Sequence, residues 1–163
     1  MSGSDSGESS GNQTTFEQQE EEQQELQNEA ILKEHYLRDE LPKKSPIHIP
    51  ANSDYVEQNK TGYQQVKYKW TRGRYKYLSR WHSRTPNAPL SQGDSWVVER
   101  HLPGIGNGPN AHPSRREILI RTGSGSRWIP RSTWNKAIHA RKNGTATKEQ
   151  KELLDNGHWK SKK

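Results

Sequence analysis

The chain has 163 residues and a formal net charge of +7, and only 26% of its residues are hydrophobic. This composition excludes one well-packed domain along the whole length, since an average domain is roughly 45–50% apolar. The absence of cysteine excludes disulfide frameworks, thiolate zinc sites and cysteine nucleophiles. No run approaches the ~18 apolar residues of a membrane span, and we expect no Sec signal peptide.

Charge is divided unevenly along the chain. Residues 1–59 hold 13 acidic and 4 basic side chains, whereas residues 60–163 hold 6 acidic and 22 basic ones. All six tryptophans lie in the second part, and a folded core needs such large apolar side chains. We therefore predict one basic globular domain over residues 61–163.

The acidic part is predicted to hold little core. Residues 1–15 are rich in Ser, Gly and Asp, which is typical of a disordered tail. Residues 16–41 are rich in Gln and Glu, and Thr15 with Gln18 forms a capping-box pattern for a helix. Three prolines predict an extended Pro-rich linker over residues 42–60. The acidic helix has two interpretations, which are a solubilising linker and a tethered mimic of nucleic acid that covers the basic domain.

Alternation of apolar and polar residues predicts antiparallel strands in the basic domain. Residues 65–70 and 75–82 alternate on either side of a glycine-containing turn, which predicts a β-hairpin. Residues 95–101 and 117–121 predict two further strands, and residues 127–129 predict a short fifth one. Short connections between sequential strands favour an antiparallel sheet.

Two helices are predicted after the strands. Ser132 suits the N-cap and Gly144 the C′ position of a helix over about 133–143. Thr147 with Gln150 forms a second capping box before the last helix. The sequence therefore predicts an α+β fold, with helices packed on one face of an antiparallel sheet of four to five strands. The acidic helix and the disordered tail precede it.

Strand parity places a set of candidate catalytic residues on or beside one face of the sheet. If the aromatic side chains pack under the helices, the opposite face presents His82, His101, Glu99, Arg80 and Arg84. Metal-independent RNA cleavage needs a base for the 2′-OH, an acid for the leaving 5′-oxygen, and a cation for the phosphate. Histidine suits both proton transfers, glutamate assists as a base or orients an imidazole, and arginine binds phosphate.

Basic side chains interleave with aromatic ones along the first strands, a pattern typical of nucleic-acid binding. The residues expected to bind nucleic acid are Lys67, Lys69, Arg72, Arg74, Lys76, Arg115 and Arg116. We expect no cofactor and no metal site, because carboxylates are few in the sheet region. The histidines expected to be surface or structural residues are His112, His139 and His158.

The segments YKYLSRWHSRTP, SWVVERH and WIPRSTWNKAIHARKNGTATKEQKELLDNGHW are similar to the C-terminal nuclease modules of bacterial polymorphic and contact-dependent toxins. The resemblance covers about residues 63–159. Many such modules resemble the barnase, EndoU, colicin and RelE-like ribonucleases. The resemblance implies cleavage of RNA or tRNA and a cognate acidic immunity protein as partner. It also implies secretion by a non-Sec route and action in the cytoplasm of a target cell.

Three functions stay open from the sequence. The first is an endoribonuclease toxin domain that acts by metal-independent general acid–base catalysis. The second is a non-catalytic nucleic-acid-binding module with an acidic regulatory tail, and the third is a metal-dependent DNase. RNA is the favoured nucleic-acid partner, and the sequence does not decide the oligomeric state.

Overall fold

The computed structural model describes residues 15–162. The chain forms two compact units, of which the first ends at Leu37 and the second starts at Arg38. The disordered tail predicted over residues 1–15 lies outside the described residues, except for its last residue. None of the helices within the described range is long and apolar enough to cross a membrane.

The first unit contains helix α1 (Phe16–His35). It starts at the predicted capping box, in which the Gln18 backbone N–H donates to Thr15 Oγ1 at 3.1 Å and the Thr15 N–H donates to Gln18 Oε1 at 2.9 Å. The helix ends earlier than the predicted range 16–41, because a π-helical turn follows it over Tyr36–Glu40. No residue of α1 itself is buried, which agrees with the prediction that the acidic part holds little core.

The second unit is built on six antiparallel strands that pair in chain order. They are β1 (Asp54–Lys60), β2 (Tyr63–Arg72), β3 (Tyr75–His82), β4 (Ser95–Leu102), β5 (Arg115–Arg121) and β6 (Ser126–Pro130). Two helices follow, α2 (Arg131–Lys142) and α3 (Lys148–Gly157). The predicted α+β class and the predicted hairpin are confirmed, and the sheet has one strand more than the four to five expected.

The additional strand, β1, lies in the segment predicted as a Pro-rich linker over residues 42–60. It pairs with β2 along its whole length of seven residues. The chain before it is also folded, since Leu41 and Ile49 are buried and Ser45 Oγ lies 2.7 Å from Ser79 Oγ of β3. The linker prediction is therefore wrong here, because prolines restrict the backbone without preventing the residues between them from packing.

The helix ends follow the predicted signals with one exception. The N-cap of α2 is Pro130 rather than Ser132, and no side chain caps this end. After α2, Gly144 has φ of +73°, the left-handed conformation that glycine adopts at a helix C-terminus. The capping box between Thr147 and Gln150 is present at the start of α3.

The two faces of the sheet are covered differently from the prediction. The helix-side face packs under α2 and α3 through Val97, Ile118, Ile120, Ile129, Trp134, Ala137 and Leu154. Because Val97 shares its strand parity with Glu99 and His101, this face also carries the predicted catalytic residues. The expectation that aromatic side chains pack under the helices is wrong. Tyr68 and Trp96 are buried on the opposite, aromatic face, where the chain before β1 packs.

Candidate active site

His82 and His101 lie on neighbouring strands and on one face, but at different levels of the sheet. His101 pairs with Lys76 of β3, whereas His82 pairs with Ser95 of β4. His82 lies six positions after Lys76 along β3, so the backbone positions of His82 and His101 are roughly 20 Å apart at ~3.3 Å per residue. Two groups so far apart do not reach one phosphodiester, and the predicted His82–His101 pair is wrong.

His82 lies instead in a cleft between the sheet and α2, which we name the histidine cleft. Its volume is about 550 Å³. Gln65 and Lys67 of β2 and Arg80 of β3 line it from the sheet side, because they share the parity of His82. The cations that line the cleft are Lys60, Lys67, Arg80, Arg141 and Lys142. No acidic side chain of the described chain lines it.

A second histidine, His158, also lines the histidine cleft. Its ring centroid lies 5.4 Å from that of His82, and the two rings are perpendicular. The indole of Trp134 lies against His158 with a centroid distance of 5.1 Å. Of the two roles expected for His158, surface or structural, the surface one is wrong, because His158 is buried. It lies beside the one predicted catalytic histidine in this cleft.

The position of His158 depends on contacts that are distant in sequence. After α3 the chain pairs with β4, and the backbone N–H groups of Trp96 and Trp159 each donate to the other residue's carbonyl, at 2.7 and 2.8 Å. Gly157 permits the close approach, since a Cβ atom there would lie 2.5 Å from Cη2 of Trp134. A glycine directly before a histidine at a helix end is the one local signal that could have indicated this packing.

Backbone carbonyls fix the tautomer of both imidazoles. His82 Nδ1 lies 2.9 Å from the Ser83 oxygen, and His158 Nδ1 lies 2.6 Å from the Leu154 oxygen. Since a carbonyl only accepts, each Nδ1 carries the hydrogen and each Nε2 of the neutral ring is an acceptor. Neither Nε2 has a hydrogen-bond partner within residues 15–162, and both side chains are buried, with exposed fractions of 4% for His82 and 6% for His158. Each Nε2 therefore keeps a lone pair that can accept a proton from a ligand in the histidine cleft.

Burial lowers the pKa of both imidazoles. Desolvation is the main cause that lowers the pKa of His158 to about 3; the nearby His82, Arg141 and Arg80 act in the same direction, and the hydrogen bond to the Leu154 carbonyl acts against them. Desolvation also lowers the pKa of His82, with Arg80 and Arg141 acting in the same direction. Both rings are therefore neutral at neutral pH in the free protein.

Arg80 and Lys67 place unbalanced positive charge on the floor of the histidine cleft. They face each other across β2 and β3. Burial is the main cause that lowers the pKa of each side chain. The half-buried Arg80 guanidinium makes no hydrogen bond or ion pair with other described residues, although Glu99 is close enough to raise its pKa. A half-buried cation without an ion-pair partner favours a bound anion.

The predicted residues Glu99 and His101 lie outside the histidine cleft. Glu99 is 8% exposed, and its carboxylate lies 3.6 Å from both Arg116 and Arg131. Two guanidinium groups thus balance its charge, which does not suit a general base. His101 Nε2 lies 2.8 Å from Ser114 Oγ, and partial desolvation, Arg116 and Lys76 lower its pKa.

The remaining predicted residues are distributed over several places. Arg84 donates to the Ala88 carbonyl at 2.7 Å, so it braces the loop after β3 and is not placed to hold a substrate. Glu99 and His101 line a second cavity of about 420 Å³. The residues expected to bind nucleic acid are also divided. Lys67 lines the histidine cleft, and the second cavity is lined by Lys69, Lys76 and Arg116. Arg115 lines a third opening, and the β2–β3 turn exposes Arg72 and Arg74.

The histidine cleft thus combines two neutral imidazoles with cations that attract a phosphate group. Across residues 15–162, no three His, Asp or Glu side chains are grouped as ligands of a metal ion. No family model, curated protein sequence or solved structure matches the chain. Its function is therefore inferred from the geometry of the histidine cleft.

Proposed function

We propose that the second unit is a metal-independent endoribonuclease whose active site is the histidine cleft. One observation carries this proposal: His82 and His158 pack together in a cleft lined by five cations and, among the described residues, by no carboxylate. A phosphodiester is an anion, so this cleft attracts it. The imidazoles then lie beside the bound phosphate with both Nε2 atoms free.

The proposed reaction needs only proton transfer and charge stabilisation. One Nε2 removes the proton of the RNA 2′-OH, and the 2′-oxygen attacks phosphorus. The P–O5′ bond breaks, and the protonated Nε2 of the other imidazole gives its proton to the 5′-oxygen. The products are a 2′,3′-cyclic phosphate and a free 5′-OH. DNA lacks the 2′-OH, so it is not a substrate of this reaction.

The surroundings of the two imidazoles favour His158 as base and His82 as acid. The pKa of His158 is about 3, so its ring is unprotonated at neutral pH. The carboxylate of Asp94 raises the pKa of His82 and so opposes the lowering caused by burial. No carboxylate of the described residues raises the pKa of His158 in this way. The negative charge of a bound phosphate raises both pKa values, and His82 is then the first to take up a proton.

Arg80 and Lys67 would stabilise the charge that develops on the phosphate oxygens. A guanidinium binds two phosphate oxygens at once in one plane. Preorganised cations of this kind act most strongly where water is partly excluded, as on the half-buried floor of the histidine cleft.

A second candidate function is a non-catalytic nucleic-acid-binding module. The pKa of about 3 for His158 favours this alternative. A general base works best when its pKa is near the working pH, and this base is weak before substrate binds. The same cations would bind RNA without cleaving it.

Incubation of the purified protein with an RNA oligonucleotide and a DNA oligonucleotide of the same sequence, each with and without EDTA, tests the proposal. We expect RNA cleavage that survives EDTA, termini that carry a 2′,3′-cyclic phosphate, and intact DNA. RNA binding without cleavage would favour the second candidate. Cleavage of DNA that EDTA abolishes would contradict the proposal and support a metal-dependent DNase.

The resemblance to toxin modules adds an acidic protein partner to the proposal. A protein whose carboxylates complement the five cations of the histidine cleft would exclude RNA from it, as an immunity protein does. We expect a small acidic reading frame directly downstream of the gene to restore growth to cells that express the second unit. Failure of that product to bind the unit would remove the immunity partner and leave the ribonuclease proposal unchanged.

A further inference from the structure

A second cationic cavity lies on the helix-side face, on the same strands as the histidine cleft. It has a volume of about 420 Å³ and is lined by residues of the five strands β1 to β5. The charged and ionisable side chains that line it are Lys69, Lys76, Arg116, His101, Asp54 and Glu99. Glu99 also lies 3.6 Å from Arg131, so its charge is compensated.

The strand register connects the two cavities by a row of basic residues. Side chains on one face recur every second residue, which is a step of about 7 Å along a strand. Lys67 and Arg80 face each other at the level of the histidine cleft, and Leu78 lies opposite Lys69 one step further. The next step brings Lys76 level with His101 and Arg116.

The row has the dimensions of a short piece of single-stranded nucleic acid. Arg80 lies four positions after Lys76 along β3, a distance of about 13 Å. A stacked strand carries one phosphate per ~3.4 Å, so this distance spans up to about four nucleotides. Lys69 and Lys76 are exposed and make no ion pair with other described residues, so both are accessible to phosphates.

We propose that a single-stranded RNA runs from the histidine cleft along this row into the second cavity. The substrate class is then an unpaired RNA segment of about four to six nucleotides rather than a single dinucleotide. His101 and Ser114, which lie 2.8 Å apart, would contact the distant end of the segment. This inference rests on the proposed function for the position of the reacting phosphate, but binding is measured without cleavage.

Fluorescence anisotropy with 2′-O-methyl RNA oligonucleotides of two, four, six and eight nucleotides tests the inference, because 2′-O-methyl RNA lacks the reacting proton. The test variant is Lys69→Gln/Lys76→Gln. The matched control is Lys148→Gln/Lys151→Gln, which removes the same charge from exposed positions of α3 outside both cavities. Circular dichroism verifies that both variants fold.

We expect affinity to rise with length up to about six nucleotides and then to level off. In Lys69→Gln/Lys76→Gln, affinity for the six-nucleotide RNA falls about 10-fold or more. The salt slope, which is the fall of log affinity per unit of log salt concentration, becomes smaller by about 1.4, because each of the two lost phosphate contacts contributes ~0.7. Affinity for the dinucleotide changes less than about 2-fold, since its phosphate lies in the histidine cleft. The control variant keeps the salt slope of the unmodified protein.

Equal affinity for two and six nucleotides would overturn the inference. So would a Lys69→Gln/Lys76→Gln variant that binds the six-nucleotide RNA like its control. A protein that binds with this length dependence but leaves unmodified RNA intact would contradict the proposed ribonuclease and support the binding row.

Discussion

Acidification is expected to destabilise the second unit through His158. Burial holds the pKa of His158 at about 3 in the folded protein, whereas a histidine in an unfolded chain has a pKa near 6.5. Between these values the unfolded state binds a proton that the folded state does not bind. The free energy of unfolding therefore falls as the pH falls through this range, and this contribution is complete above pH 6.5.

The magnitude follows from the difference between the two pKa values. At 1.36 kcal/mol per pKa unit, the full window is worth about 5 kcal/mol, and the step from pH 7 to pH 5 about 2 kcal/mol. That step is a large fraction of a typical stability of 5–15 kcal/mol. His82 adds to the effect in the same direction, because burial lowers its pKa too.

Urea unfolding at pH 7, 6 and 5, followed by tryptophan fluorescence, measures this dependence. The test variant is His158→Asn, whose amide can donate to the Leu154 carbonyl in place of Nδ1, and the control is the exposed His139→Gln. We expect the unmodified protein and the control to lose about 2 kcal/mol more than His158→Asn between pH 7 and pH 5. Equal losses in all three proteins, or an NMR titration of His158 near pH 6.5, would refute this reasoning.

Two further predictions concern the cleft and its packing. Arg80→Gln should weaken binding of uncleavable RNA and lower the salt slope by about 0.7, whereas Arg84→Gln should leave that slope unchanged because Arg84 braces a loop. An unchanged slope in Arg80→Gln would show that no phosphate binds there. Gly157→Ala should lower the free energy of unfolding by about 1–3 kcal/mol, since its Cβ would collide with Trp134. Gly123→Ala, which meets no atom within 4 Å, should not, and equal urea midpoints for the two variants would contradict the packing.

Local signals in the sequence predicted the hairpin and the two capping boxes. The β2–β3 turn is short, so alternation fixes the register and places Arg80 and His82 on one face. The capping boxes at Thr15 and Thr147 depend only on residues three positions apart. Strand β1 was not predicted, because its sequence DYVEQNK holds little apolar alternation.

The level of His101 and the face that packs under the helices depend on long-range structure. Residues 83–94 connect β3 to β4, and a connection of this length does not set a register as a tight turn does. Strand β4 buries side chains on both faces, since Trp96 and Val97 are both nearly inaccessible. Alternation therefore could not show which face the helices cover.

His158 could not be assigned from the sequence, because its place depends on a contact across the chain. The pairing of Trp159 with Trp96 brings the end of α3 to β4, and residues so far apart in sequence leave no periodic pattern. Strand parity identified His82 as a candidate, whereas only the three-dimensional structure shows that His158 lies beside it in the histidine cleft.

Cleavage of an RNA oligonucleotide in EDTA by the unmodified protein and by His82→Ala, His158→Asn and His101→Ala tests most directly whether the two packed imidazoles form a reaction centre. We predict losses of about 10²- to 10⁴-fold in His82→Ala and in His158→Asn, with RNA binding retained. The rate of His101→Ala should stay within about 10-fold of the unmodified protein, because His101 lies roughly 20 Å from His82. Full activity in both cleft variants, or its loss only in His101→Ala, would contradict an active site at His82 and His158.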